Sequence, residues 1–122
     1  MVVACSSRND DIRKVVSQNI SIIDNYISDL KAARTPNEFA RATHGYARQV
    51  RAFAPTMANL KKKYPDFVMT RRTPEALKSI TQKYQEKMKE LNRATALMAP
   101  HRDHPEVKAA QEDLIQAWID TK

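Results

Sequence analysis

Three groups of side chains in this sequence carry reactive or ligating atoms: the histidines, the single cysteine and a dense set of basic residues. The segment His101-x-Asp103-His104 places two imidazoles and a carboxylate within four positions, a spacing that could hold a metal ion at the surface. Asp103 and Glu106 also form a capping-box pattern around Pro105, so we expect Asp103 to cap a helix instead. We therefore predict no metal site and no cofactor.

Catalytic patterns are missing from the sequence. No Cys-x-x-Cys-His and no Glu-x-x-His occur, which argues against covalently attached haem and against a bundle di-iron centre. One glycine in 122 residues leaves no glycine-rich loop that could cradle a nucleotide phosphate. Cys5 has no local His or carboxylate partner to activate it. We interpret the protein as a non-enzyme.

Basic residues are concentrated in the middle of the chain. Residues 31–93 contain 15 Lys and Arg against 5 Asp and Glu, whereas the flanks contain 6 against 9. The candidate binding residues on this predicted basic face are Arg41, His44, Arg48, Arg51, Lys61, Lys62, Lys63, Arg71 and Arg72. We expect the face to contact an acidic protein or an anionic envelope surface. Nucleic acid is disfavoured because the aromatic residues lie largely on apolar stripes, where bases could not stack on them.

Helical periodicity predicts the elements that must position these residues. We place helix 1 at residues 9–33, after a flexible N-terminal tether at residues 1–8. Thr35-Pro36-Asn37-Glu38 is typical of a capped start for helix 2, and Pro65 should end that helix. Pro55 lies inside it and removes one backbone hydrogen bond, so we expect a kink there.

The second half of the chain predicts two further helices. Helix 3 should begin at Thr73-Pro74-Glu75 and end at Pro100, and helix 4 should follow the Asp103 cap. Between helices 2 and 3, the apolar run at residues 67–69 should fold back against one end of the core. Asn19 is a polar residue on the apolar stripe of helix 1, where a buried hydrogen bond could fix the helix register.

Together these elements predict the fold class: all-α, an antiparallel up-and-down four-helix bundle with helix 2 kinked at Pro55. The bundle should form one domain over residues 9–122, and the hydrophobic content of 42% suits a globular core. No stretch reaches the ~20 apolar residues of a membrane-spanning helix. The pattern leaves the oligomeric state open.

The N-terminal sequence Val2-Val3-Ala4-Cys5-Ser6-Ser7 resembles the lipobox of bacterial lipoproteins, in which apolar and small residues precede the cysteine that receives lipid. The resemblance implies that Cys5 is acylated and that Ala4 precedes the cleaved bond. It also implies a periplasmic protein. By analogy with such lipoproteins, Ser6 after the cysteine favours sorting to the outer membrane, and the lipid on Cys5 would be the one membrane contact. The alternative is a free thiol on a cytoplasmic protein.

A second resemblance covers residues 36–110. It is carried by Ala54-Pro55-Thr56-Met57, by Leu60-Lys61-Lys62-Lys63-Tyr64-Pro65-Asp66 and by Thr73-Pro74-Glu75-Ala76-Leu77-Lys78. These segments look like a loosely defined group of uncharacterised bacterial helix-bundle proteins that are secreted or lipid-anchored. The resemblance implies a fold and a location, and the group has no known activity to transfer.

Three functional hypotheses follow from these patterns. The first is a non-enzymatic envelope lipoprotein or secreted protein that binds another macromolecule through its basic face. The second is a cytosolic basic protein that binds nucleic acid nonspecifically, for which affinity should fall steeply with salt. The third is a bundle that binds a small ligand, for which the structure should contain an apolar cavity of roughly 300 Å³ or more.

Overall fold

The computed structural model describes the backbone of residues 2–64 and 77–121 and the side chains of residues 8–64 and 77–121. These residues form four α-helices and one 3₁₀ helix, and no β-strand occurs among them. The elements are α1 (Val2–Ala32), α2 (Pro36–Lys63), α3 (Lys78–Thr95), the 3₁₀ helix (Ala96–His101) and α4 (Pro105–Asp120). The predicted all-α, four-helix architecture is confirmed.

The start of α2 follows from its local sequence. The Thr35 hydroxyl accepts a hydrogen bond from the Glu38 backbone N–H at 3.2 Å, and the Glu38 carboxylate accepts one from the Arg34 backbone N–H at 3.3 Å. Pro36 occupies the first turn, where its missing N–H costs nothing. The helix ends before Pro65 as predicted, with the Tyr64 N–H bonded to the Leu60 carbonyl at 2.8 Å.

Two predicted helix starts are wrong. Helix α1 begins at Val2 and not at residue 9, so residues 2–8 are helical and do not form a nonhelical tether. No proline or glycine interrupts this stretch, so it contains no residue that breaks a helix. Helix α4 is capped by His104 and not by Asp103, without a side-chain hydrogen bond. Because Pro105 takes the first helical position, the cap falls on its immediate neighbour.

The end of α3 also differs from the prediction. The α-helix stops at Thr95, and the chain tightens into the 3₁₀ helix that contains Pro100. Two further predictions, the helix start at residues 73–75 and the packing of residues 67–69 against the core, lie outside the described residues.

The helices pack as pairs around a central α1–α2 hairpin. Helix α3 lies along α1 and runs in the same direction, since Leu77 packs in one cluster with Ile12 and Met98 packs in another with Leu30. Helix α4 lies along α2. The chain thus alternates in direction from one helix to the next, as expected of an up-and-down bundle.

The middle of the core contains a stack of aromatic rings with a buried polar chain. Tyr26 and Tyr46 stack with centroids 4.4 Å apart. The Tyr26 and Thr43 hydroxyls lie 2.9 Å apart, and the Thr43 hydroxyl donates to the Met98 sulfur at 3.5 Å. Burial raises the pKa of both tyrosines, so they stay neutral and join α1 to α2.

Pro55 lies inside α2, which continues for eight residues beyond it. The kink at this position stays a prediction. Within the described residues, none of the helices combines the length and apolar character that a membrane-spanning helix needs.

Candidate ligand-binding groove

Helices α2 and α4 differ in length, and this difference shapes the surface of the bundle. The 28 residues of α2 extend ~42 Å, whereas the 16 residues of α4 extend ~24 Å. Asp120, the last residue of α4, lies 3.9 Å from Arg51, measured from Oδ2 to Nε. Helix α4 therefore ends near the middle of α2, and within the described residues it does not extend along the second half of α2.

The apolar stripe of α2 continues past the end of α4. Its first part is buried, up to Val50, but Phe53 and Met57 farther along are half-buried. They line a groove with a volume of about 460 Å³. The residues that line this groove are Asn19, Ile22, Val50, Phe53, Ala54, Met57, Lys61, Tyr84, Trp118 and Thr121. All four helices contribute to it, and most of its lining is apolar.

Trp118 of α4 forms one side of the groove. Its indole packs edge-on against Tyr46, with ring centroids 6.2 Å apart, and the side chain stays 45% exposed. One part of the ring is thus fixed by the core while another part faces the groove. Ile115 and Ile119 lie on the same face of α4 and are 60% and 55% exposed. The apolar surface of the groove therefore continues outward along α4.

Two of the polar groups of the groove come from α3 and α1. Tyr84 of α3 and Asn19 of α1 both line the groove. Burial raises the pKa of Tyr84, and a hydrogen bond with the Asn19 side chain opposes that shift. Tyr84 is therefore the hydrogen-bond partner of Asn19 on the apolar stripe of α1. The prediction placed this hydrogen bond in the buried core, whereas Asn19 is half-buried and borders the groove.

Two predicted binding residues hold α4 against α2. His44 Nδ1 lies 2.7 Å from Asp113 Oδ2, and Arg51 Nη2 lies 2.8 Å from Asp113 Oδ1. Arg51 also donates to the Asp113 backbone carbonyl at 3.2 Å. Hydrogen bonds from His44 and then Arg51 lower the pKa of Asp113 below its ordinary value of 3.8. These two basic side chains are engaged within the bundle.

The other basic residues are spread along α2. Lys63 Nζ lies 2.8 Å from Asp11 Oδ2 at the far end of the helix, and the Tyr64 hydroxyl donates to the same oxygen at 2.7 Å. Arg41, Arg48, Lys61 and Lys62 are exposed. Twenty residues of α2 separate the first of these from Lys61, a distance of ~30 Å. The structure does not gather the predicted basic face into one compact site.

Arg71 and Arg72 lie outside the described residues, as does the side chain of Cys5, whose backbone belongs to α1. Among the residues that are described, no three His, Cys, Asp or Glu side chains come together as a metal-binding group. His101 stacks instead on Phe39, with ring centroids 5.0 Å apart, and its ring lies 6.1 Å from that of His104.

The sequence favours burial of the groove residues in the core, although a methionine such as Met57 could also line an adaptable binding surface. Phe53, Met57, Tyr84 and Trp118 all fall on apolar stripes, where burial is the ordinary expectation. No local signal in the sequence separates these residues from the residues of the core.

Comparisons with protein-family models, with curated proteins and with solved structures find no match to this chain.

Proposed function

We propose that this protein binds a small, largely apolar molecule in the groove between α3 and α4. The observation that carries the proposal is the groove of about 460 Å³, which lies in the size range of small-molecule sites. This volume exceeds the roughly 300 Å³ that the hypothesis of a ligand-binding bundle requires. Phe53, Met57 and Trp118 supply the apolar contacts, and the polar groups are few, as is typical of such sites.

The walls of the groove come from residues of all four helices and not from one side chain. Helix α4 is held along α2 by the burial of Val107 and Ala117 and by the contacts of Asp113 with His44 and Arg51. A ligand would enter a site whose walls are already formed, so its binding would not require a large rearrangement of the bundle.

Trp118 provides a direct test, because it is the chain's one tryptophan and it lines the groove. The neutral dye N-phenyl-1-naphthylamine should bind with an increase in its own fluorescence and a decrease in that of Trp118. The variant Ala54→Phe places a ring in the groove and should weaken dye binding at least tenfold. The matched control is Ala58→Phe, because Ala58 is exposed on the same helix and does not line the groove.

Dye binding that is equal in the two variants would refute the groove as the site, and so would the absence of binding by the wild-type protein. Circular dichroism of both variants checks that the helices are intact.

A second candidate is the predicted contact with an acidic macromolecule. Arg41 and Arg48 favour it, since both are exposed two turns apart on α2, and the described part of the chain shows no ion pair for either. The double variant Arg41→Glu with Arg48→Glu should abolish capture of an acidic polypeptide such as polyglutamate. Unchanged capture would remove this candidate.

The location of the protein in the bacterial envelope is also part of the proposal, supported by the lipobox resemblance around Cys5.

A further inference from the structure

The charge of the groove lining narrows the class of ligand. Of the ten residues that line the groove, Lys61 is the one that carries a formal charge. The others are apolar or carry neutral amide, hydroxyl or indole groups. A ligand that fills the groove therefore meets an apolar surface over most of its length and a single positive charge at one position.

The ammonium group of Lys61 is available to a ligand. Lys61 is exposed, and within the described residues the structure shows no carboxylate paired with it. Lys63 differs, because Asp11 occupies its ammonium group at 2.8 Å. The neighbouring Lys62 is exposed as well and adds a second positive charge near this end of α2. The local field thus favours an anion and disfavours a cation.

The apolar part of the groove excludes a ligand that is purely ionic. Phe53, Met57 and Ile22 offer no hydrogen-bond donors to an anion, and an inorganic anion would leave their apolar surface unfilled. A ligand that satisfies both parts of the lining has an apolar body and one anionic end.

We propose that the ligand of this groove is a monoanionic amphiphile, such as a long-chain carboxylate, whose anionic group pairs with Lys61. This inference rests on the proposed function, because it specifies the ligand of the same groove. The apolar chain lies along Phe53 and Met57 towards Trp118, and the carboxylate stays at the exposed end, where Lys61 donates a charge-assisted hydrogen bond.

Three probes with the same twelve-carbon chain and different ends test the charge preference: dodecanoate, dodecanol and dodecyltrimethylammonium. Each competes with N-phenyl-1-naphthylamine at pH 8, below micelle-forming concentrations. Dodecanoate should displace the dye at a concentration at least five times lower than dodecanol, and the cationic probe should be the weakest. The variant Lys61→Met should reduce the advantage of dodecanoate over dodecanol to less than twofold.

Lys62→Met is the matched control, because Lys62 is an exposed neighbour on α2 that does not line the groove. It should keep at least a threefold preference for dodecanoate. Equal displacement by dodecanoate and dodecanol, or a preference that survives in Lys61→Met, would overturn the anionic ligand and leave the proposed apolar site intact. If the dye itself does not bind to the wild-type protein, both proposals fail.

Discussion

Arg51 of α2 and Asp113 of α4 form an ion pair of 2.8 Å between residues that are 62 positions apart in the chain. His44 binds the other carboxylate oxygen of Asp113 at 2.7 Å. One carboxylate thus joins two turns of α2 to α4. This contact adds to the packing of Val107 and Ala117, which are buried where α4 meets the core.

Replacement of Asp113 by Asn should lower the free energy of unfolding at pH 7. The pKa of Asp113 is lowered in the folded protein, so its charge stabilises the fold above its ordinary pKa of 3.8. As the pH falls through the lowered folded value, that contribution is lost. The pairs of Asp113 with His44 and with Arg51 are partly exposed and screened by solvent. We therefore expect the free energy of unfolding to fall by only about 1 kcal/mol at pH 7.

Urea denaturation of wild type and Asp113→Asn at pH 7 and at several values below pH 3.8 measures this difference. The two proteins should differ at pH 7 and converge in acid. A difference that grows as the pH falls would contradict the assigned direction of the pKa shift.

Thr43→Val should destabilise the bundle by about 1–3 kcal/mol, because it leaves the buried Tyr26 hydroxyl without its partner at 2.9 Å. The additional substitution Tyr26→Phe removes the hydroxyl that Thr43→Val leaves unpaired. The double variant should therefore be less destabilised than the sum of the two single variants, as measured by urea denaturation in a double-mutant cycle. Strict additivity would mean that the two hydroxyls do not interact.

Pro55→Ala should raise the free energy of unfolding by roughly 0.5–1.5 kcal/mol, because it supplies an N–H for the Arg51 carbonyl inside α2. Pro36→Ala is the control, since Pro36 occupies the first turn of the same helix and displaces no helical hydrogen bond. Thermal denaturation of both variants provides the comparison. A loss of stability in Pro55→Ala would show that the helix geometry at this proline is required by its packing.

Cys5 should carry lipid when the full-length gene product is expressed in bacteria. Radiolabelled palmitate should enter the wild-type protein and not Cys5→Ala, and globomycin should cause the precursor to accumulate. Attachment of two or more acyl chains would hold the protein stably at a membrane, whereas a single chain binds reversibly. A wild-type protein without label would remove the envelope location.

Much of the helical pattern can be predicted from the sequence, because it depends on local interactions. The cap formed by Thr35 and Glu38 involves residues three positions apart, and the proline after Tyr64 restricts its immediate neighbour. The apolar stripes identify the buried faces for the same reason. Local patterns failed where two signals competed, as at Asp103, where the position of Pro105 shifted the cap to His104.

The groove depends on contacts between distant parts of the chain. The apolar stripes mark Phe53 and Trp118 as candidates for burial, and nothing near either residue says what will cover it. The contacts of Asp113 with His44 and Arg51 span 69 and 62 positions, and together with the buried Val107 and Ala117 they hold α4 along α2. The sequence by itself determined the helices and their apolar faces through short-range physics, whereas only the tertiary structure decided which part of those faces stays open.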